Sequence, residues 1–275
     1  MMVRKLARAL VPAAAAAAAA AALSAGCGAK DAVDPVAQAA DTTDSRPGGI
    51  GMVLTGSMTV AGETVAMSGT GTADRRGRRG AFTLTVNGAG QSMTINEVQD
   101  GQVVYARSDA LAGKLPGGRH WLKFDLAAAA RRQGVDITGL GQGPGQDPAQ
   151  ALDYLRGVGS SKRLGKDTVR GVPATHYHVD VNLRDAAEHG RDEATRRTLR
   201  QAAEAAGNPT LPIDVWVDDH DLVRRERVRM ATTTQGQRVA MDMTVDFVAF
   251  GVPVKVKAPA ASDTADLLQL MGGGG

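Results

Sequence analysis

The sequence predicts an α+β domain: one large curved antiparallel sheet with helices on its concave side. Two observations lead there. From Ile50 onward, segment after segment alternates apolar and polar residues with period two, as a strand with one buried face does. Helical stretches interrupt that pattern near residues 125–133, 147–156 and 184–206.

The chain opens outside this pattern. Arg4, Lys5 and Arg8 precede an uncharged, alanine-rich run to Leu23, followed by small residues and Cys27. That order reads as a secretory signal over residues 1–26. The apolar run falls short of the roughly 20 apolar residues that span a bilayer. Ser24-Ala25-Gly26-Cys27 resembles a bacterial lipobox, in which the cysteine thiol takes up a diacylglycerol and becomes the new N-terminus. Cys27 is the only cysteine, and a lone secreted thiol otherwise calls for explanation. The expectation is an extracytoplasmic protein, lipid-anchored to the membrane at Cys27.

Removing the signal changes the charge. The whole chain carries 32 Lys and Arg against 29 Asp and Glu; taking away Arg4, Lys5 and Arg8 leaves 29 against 29. A neutral domain argues against nucleic acid as a partner. One cysteine excludes a disulfide framework and a thiolate metal site, so the core must hold the domain together.

Residues 27–48, small, polar and Pro-containing, read as the lipidated cysteine and a disordered tether. Residues 49–262 form the domain, and 263–275 a short helix with a glycine tail. In IGMVLTGSMTV, Ile50, Met52, Leu54, Met58 and Val60 share one face, and Val53, Thr55, Ser57 and Thr59 the other. The next run puts Val65 and Met67 opposite threonines. AFTLTVN sets Phe82, Leu84 and Val86 against Thr83 and Thr85. QSMTINEV, QVVYARS and HWLKF continue the meander. Asp125 is a candidate N-cap for LAAAARRQ, and Asp147-Pro148 starts a second helix. Gly139–Gln146 between them is a loop without a phosphate-binding ending. Strands follow in SKRLGKDTVRG and GVPATHYHVDVNL, then a helix from Arg184 to about Ala206. The strands LPIDVWV, LVRRERVRM and GQRVAMDMTVDFVAF come next, and PVKVKAP closes the sheet.

Of eight methionines beyond the signal, seven fall in these strands: Met52, Met58, Met67, Met93, Met230, Met241 and Met243. Aromatics make up only 3% of the chain. Flexible thioethers suit a surface that repacks around variable apolar partners. The residues alone allow either a pliable apolar cavity or a core drifted toward Met and Gly.

Three segments carry a family likeness: SSKRLGKDTVRGVPATHYHVDV, LPIDVWVDDHDLVRRERVRM and VDFVAFGVPVKVKAP. With the lipobox and the Thr-rich meander, they resemble the actinobacterial lipoproteins of the LppX and LprG type, relatives of the LolA and LolB carriers. The resemblance implies a half-open β-barrel with helices across its concave side and an apolar cavity for acyl chains between them. The partner it implies is a lipid or acylated glycolipid. On that basis the cavity residues are Met52, Leu54, Met58, Met67, Phe82, Leu84, Val86, Met241, Met243 and Val245. An alternative of another class is a regulatory lipoprotein that binds an envelope protein.

Other polar groupings admit a chemical and a plain reading. His176, His178 and Asp180 on one strand face could hold zinc or iron, or simply face solvent. Asp218, Asp219, His220 and Asp221 could bind calcium, or form a polar hairpin. Arg225, Arg227 and Arg229, and Arg75–Arg79, could meet anionic headgroups, or solubilise a face. The expectation is no metal, no cofactor and no catalytic site: there is no Gly-x-Ser-x-Gly elbow and no His-Glu-x-x-His, and Ser160-Ser161-Lys162 lacks the motifs that would support a Ser-x-x-Lys site.

Overall fold

In the computed structural model the described residues are 33–74, 79–125, 127–128, 152, 154–155, 158, 160–189, 193–205, 210–234 and 237–272. They form a body that begins at Asp34. Its frame is a single open sheet of twelve strands. In chain order these are β1 (Gly49–Val60), β2 (Glu63–Asp74), β3 (Arg79–Gly88), β4 (Gln91–Asp100), β5 (Val103–Ser108), β6 (Trp121–Asp125), β7 (Lys162–Val169), β8 (Val172–Asn182), β9 (Thr210–Asp218), β10 (Val223–Thr234), β11 (Gln237–Val252) and β12 (Thr264–Asp266). Four α-helices accompany them among the described residues: α1 (Pro35–Ser45), α2 (Leu183–Glu188), α3 (Glu193–Ala205) and α4 (Leu267–Gly272).

The order across the sheet is β12-β6-β5-β4-β3-β2-β1-β11-β10-β9-β8-β7. Two meanders, β1 to β6 and β7 to β11, join where β1 pairs with β11. Every neighbour is antiparallel except β12, which runs parallel to β6. The sheet never closes, so β7 and β12 remain its edges. Because paired residues share a face, the register fixes the two surfaces. Met58 lies opposite both Met241 and Val65, and Met241 opposite Met230. Met67 lies opposite Val86, and Val86 opposite Met93. One face is therefore Met, Leu, Val and Ile from β4 across to β8. The other is mostly Thr, Ser, Arg and Asp.

Helices cover the apolar face over β8–β11. Val36, Ala39 and Ala40 of α1, Leu183, Ala186 and Ala187 of α2, and Leu199 and Ala203 of α3 share one core with Met52, Val179, Val181, Ile213, Val215, Val245 and Phe247. Leu152 and Leu155, from the second predicted helix, enter the same core. Asp125 does cap a turn, accepting from the Ala128 N–H at 2.8 Å. The loop 139–146 lies outside the described residues.

Three expectations change. The segment expected as a disordered tether over 27–48 contains α1. Asp34 caps it by accepting from the Val36 N–H at 2.8 Å, Pro35 occupies its first turn, and Val36, Ala39, Ala40 and Thr43 make a buried stripe at helical spacing. Small side chains let that stripe lie close on the sheet, so a weakly hydrophobic segment still belongs to the core. PVKVKAP does not join the sheet: β11 ends at Val252, and residues 253–260 are unpaired. Two prolines without N–H donors explain this. The terminal segment, expected as a helix from Asp263, first makes the three-residue β12 and only then α4.

Candidate functional site

All ten residues assigned to a cavity from the sequence fall on one face of the sheet. Met52, Leu54 and Met58 of β1 pair across to Phe247, Val245 and Met241 of β11. Met67 of β2 meets Val86 of β3, while Phe82 and Leu84 pair with Gly71 and Gly69. Met243 faces Gly56.

Burial along this face is graded. At one end Met52 and Phe247 are 3% and 1% exposed, sealed under the helices. Leu54 and Phe82 sit at the margin of that core. Met67, Leu84, Val86, Met241 and Met243 are half-buried. At the far end Met58 and Met230 are 39% and 40% exposed, and Val60 and Met93 are exposed beside them. Monomeric soluble proteins rarely leave a contiguous apolar face open in this way.

Glycines shape the floor, and sequence reading passed over them. A Cβ on Gly56 would collide with the Met243 thioether, one on Gly71 with the Phe82 ring, and one on Gly69 would stand 2.5 Å from Leu84 Cδ2. Each large side chain therefore lies flat over the glycine paired with it, and the surface is smooth rather than studded. The signal was in the sequence: Gly56, Gly69 and Gly71 occupy apolar positions of the alternation.

Two carboxyls, Glu226 and Glu97, interrupt the apolar face. Glu226 pairs with Val245 on one side and Val215 on the other, and is 4% exposed. Its Oε2 has no hydrogen-bond partner among the described residues. Burial pushes its pKa up to about 8, so the group is neutral at physiological pH. Glu97, also on this face, is raised by burial too.

The opposite face is knitted by ion pairs. Asp246 accepts from Arg225 Nη2 at 3.0 Å and from Arg170 Nε at 2.7 Å. Arg227 Nε donates to Asp242 at 2.9 Å, and Arg229 Nη2 to Asp214 at 2.9 Å. The Arg row is thus paired rather than presented to headgroups. Arg79 likewise turns inward to Asp100 and the Val256 carbonyl; Arg75–Arg78 lie outside the described residues.

His176 and His178 converge on Asp214, at 3.4 and 2.9 Å. His176 stacks on Trp216 with centroids 4.1 Å apart, and Trp216 Nε1 donates to Asp167 at 2.8 Å. These histidines are therefore part of a packed network, not a merely solvated strand face. Burial alone would raise Asp214, but hydrogen bonds from His178 and Arg229 outweigh it and hold the carboxylate below its usual range. Asp246 is lowered the same way, its burial overcome by Arg225 and Arg170. Asp218 is occupied by the Leu222 and His220 N–H groups and by Arg224, which makes the polar hairpin self-contained. Among the described residues no group of three or more His, Cys, Asp and Glu could hold a metal ion. A cleft of about 370 Å³ lined by Tyr105, Arg119, Lys123, Thr264 and Asp266 is polar, and its Lys123 is paired with Asp266 at 3.4 Å. No helix among the described residues is long and apolar enough to cross a membrane. Cys27 lies outside the described residues.

No family model matches the chain. A Streptomyces griseus protein, named an uncharacterized 31.2 kDa protein in the rplA–rplJ intergenic region, is 30% identical over 214 residues, which cover 72% of this chain and 68% of that one. A Streptomyces coelicolor protein named "Putative lipoprotein" is 25% identical over 255 residues, 86% of this chain and 77% of that one. Among solved structures, LprF from Mycobacterium bovis aligns with a TM-score of 0.45 at 14% identity, covering 82% of this chain and 96% of LprF. The Mycobacterium tuberculosis lipoprotein LppX gives 0.41 at 12% identity, covering 81% and 96%. The word lipoprotein, expected from the sequence, recurs in the name of the Streptomyces coelicolor relative.

Proposed function

The chain belongs to the family of the Streptomyces griseus 31.2 kDa protein, and with that premise we propose that it is an extracytoplasmic lipoprotein that carries an acylated lipid or glycolipid. Cys27 is its membrane anchor. Two or more acyl chains on the cysteine would suffice to hold it, since one chain alone binds only marginally. The cargo lies on the apolar face along Leu54, Met67, Leu84, Met241 and Met243.

The observation that carries this reading is the graded apolar face, closed at Met52 and open at Met58. Each acyl CH2 covered contributes about 0.8 kcal/mol relative to water. The bilayer offers the same, so exchange between membrane and protein is close to balanced and needs no chemical step. The thioethers, adaptable in shape, would follow chains of differing length.

The test is to extract the full-length lipidated protein gently from bacterial membranes and examine it by native mass spectrometry, then by organic extraction. A released mass of several hundred daltons or more, beyond the acylated chain, supports the carrier and names the cargo class. A protein without cargo that also refuses a fluorescent phospholipid turns the reading to the alternative, an envelope protein as partner.

A further inference from the structure

The open rim has a direction, and three independent features share it. The turns β1–β2 and β3–β4 lie at the rim end of the sheet, because Val60 pairs with Glu63 and Gly88 with Gln91 there. Met58, Val60, Met93 and Met230, all exposed, stand just inside this end.

The turn residues are the first feature. Ala61-Gly62 and Ala89-Gly90 both have positive φ throughout, at 54° and 88°, and 50° and 73°. Two-residue turns of this kind favour Asn or Asp at the first position, because alanine there costs about 1 kcal/mol. The β7–β8 turn, at the opposite end, has the same backbone with Arg170 at that position, φ 48°, followed by Gly171. At the rim end two strained alanines stand where a polar residue would fold more easily. A polar tip would lose its water on entering an apolar medium; alanine loses nothing.

Charge is the second feature. At the end opposite the rim the strands and turns carry Asp74, Arg79, Asp100, Asp219 and Asp221. The β1–β2 and β3–β4 turns carry none; Glu63 follows the first, and Arg238 of β11 lies beside it, its carbonyl accepting from the Ala61 N–H.

The third is the start of the body. Asp34 accepts from the Ser161 N–H at 2.6 Å, just before β7 enters from the rim end, whereas Thr43 of α1 accepts from the Val223 N–H at the other end. Helix α1 therefore begins at the rim end. Asp34 is seven positions after Cys27, a reach of at most about 25 Å.

We propose that the β1–β2 and β3–β4 turns and the Met58–Val60–Met93–Met230 rim rest in the surface of a lipid bilayer, so that cargo passes between membrane and apolar face through this end. The proposal rests on the carrier reading for its purpose, but the contact is measurable on its own. Once Cys27 is acylated no thiol remains, so Ala61→Cys, Ala89→Cys and Asp219→Cys each introduce a single labelling site in the full-length protein. Each variant carries an environment-sensitive fluorophore and is reconstituted in phosphatidylcholine–phosphatidylglycerol vesicles containing bromine-labelled acyl chains. Quenching at residues 61 and 89 at least threefold stronger than at 219 is expected. Equal or stronger quenching at 219 overturns the proposal. Lipid bound by the same preparations is extracted in parallel. Quenching at the tips without cargo keeps the docking surface and removes the carrier. Cargo without quenching at the tips keeps the carrier and removes this surface.

Discussion

Met243 lies across Gly56, its partner on the neighbouring strand, and occupies the space where a side chain of residue 56 would begin. The glycine and the thioether together make one level patch of the apolar face. Gly56→Ala should lift the methionine into the space above and reduce lipid uptake, at about 1 kcal/mol of stability. Gly71→Ala should cost more, about 2 kcal/mol, because its Cβ would meet a rigid ring and the Ala81 carbonyl at 2.6 Å. Urea denaturation of both variants, with fluorescent-lipid titration, checks the order.

Leu84→Arg places a charge in the middle of the same face, over Gly69. Uptake of fluorescent lipid should fall at least tenfold, while far-ultraviolet circular dichroism keeps its strand signal, because Leu84 is only half-buried. Undiminished uptake would put the cargo elsewhere.

Asp246 serves two arginines and is nearly inaccessible to solvent. Asp246→Ala should destabilise by about 2 kcal/mol, since it removes the buried carboxylate that Arg225 and Arg170 share. The wild-type carboxylate has a folded pKa below its usual 3.8. The stability it contributes is therefore present above pH 4 and lost as pH falls through the folded value. Thermal melts between pH 2 and pH 5 should show a steeper acid limb in the wild type than in Asp246→Asn.

Glu226 acts with the opposite sign. The folded state keeps a proton that the unfolded chain releases above pH 4.5, so stability falls as pH rises from there to about 8, by about 3 kcal/mol at pH 7. Glu226→Leu should flatten that slope and raise the melting temperature at pH 7.5 more than at pH 5. Equal gains at both pH values would mean that the carboxyl is not held neutral.

The alternation of β1, β3 and β11 was legible because a single residue's shift would turn Met52, Leu84 and Met243 to the wrong side; it put the ten proposed cavity residues on one face, while their assignment to a cavity came from the family resemblance. What stayed hidden depends on contacts distant in sequence. Asp214 and Asp246 look like ordinary polar positions until β9 and β11 bring them to His178, Arg229, Arg170 and Arg225. Helix α1 escaped notice because alanines at helical spacing carry little hydrophobic signal of their own; their value lies in how closely they let the helix approach the sheet. The three residues of β12 are too few to show any period.

The two edges of the sheet bear on how such molecules behave at high local concentration. Strand β7 ends the sheet with Lys162, Arg163 and Lys166 exposed and a break in pairing at Leu164, between Arg163 and Gly165. The other edge is the short β12. A long flat border would invite the next copy to add its own strands and grow a fibre. Here a like-charged, kinked border on one side and a three-residue stub on the other give an incoming copy almost no ladder to extend. Molecules held at high local density can therefore pass one another without polymerising.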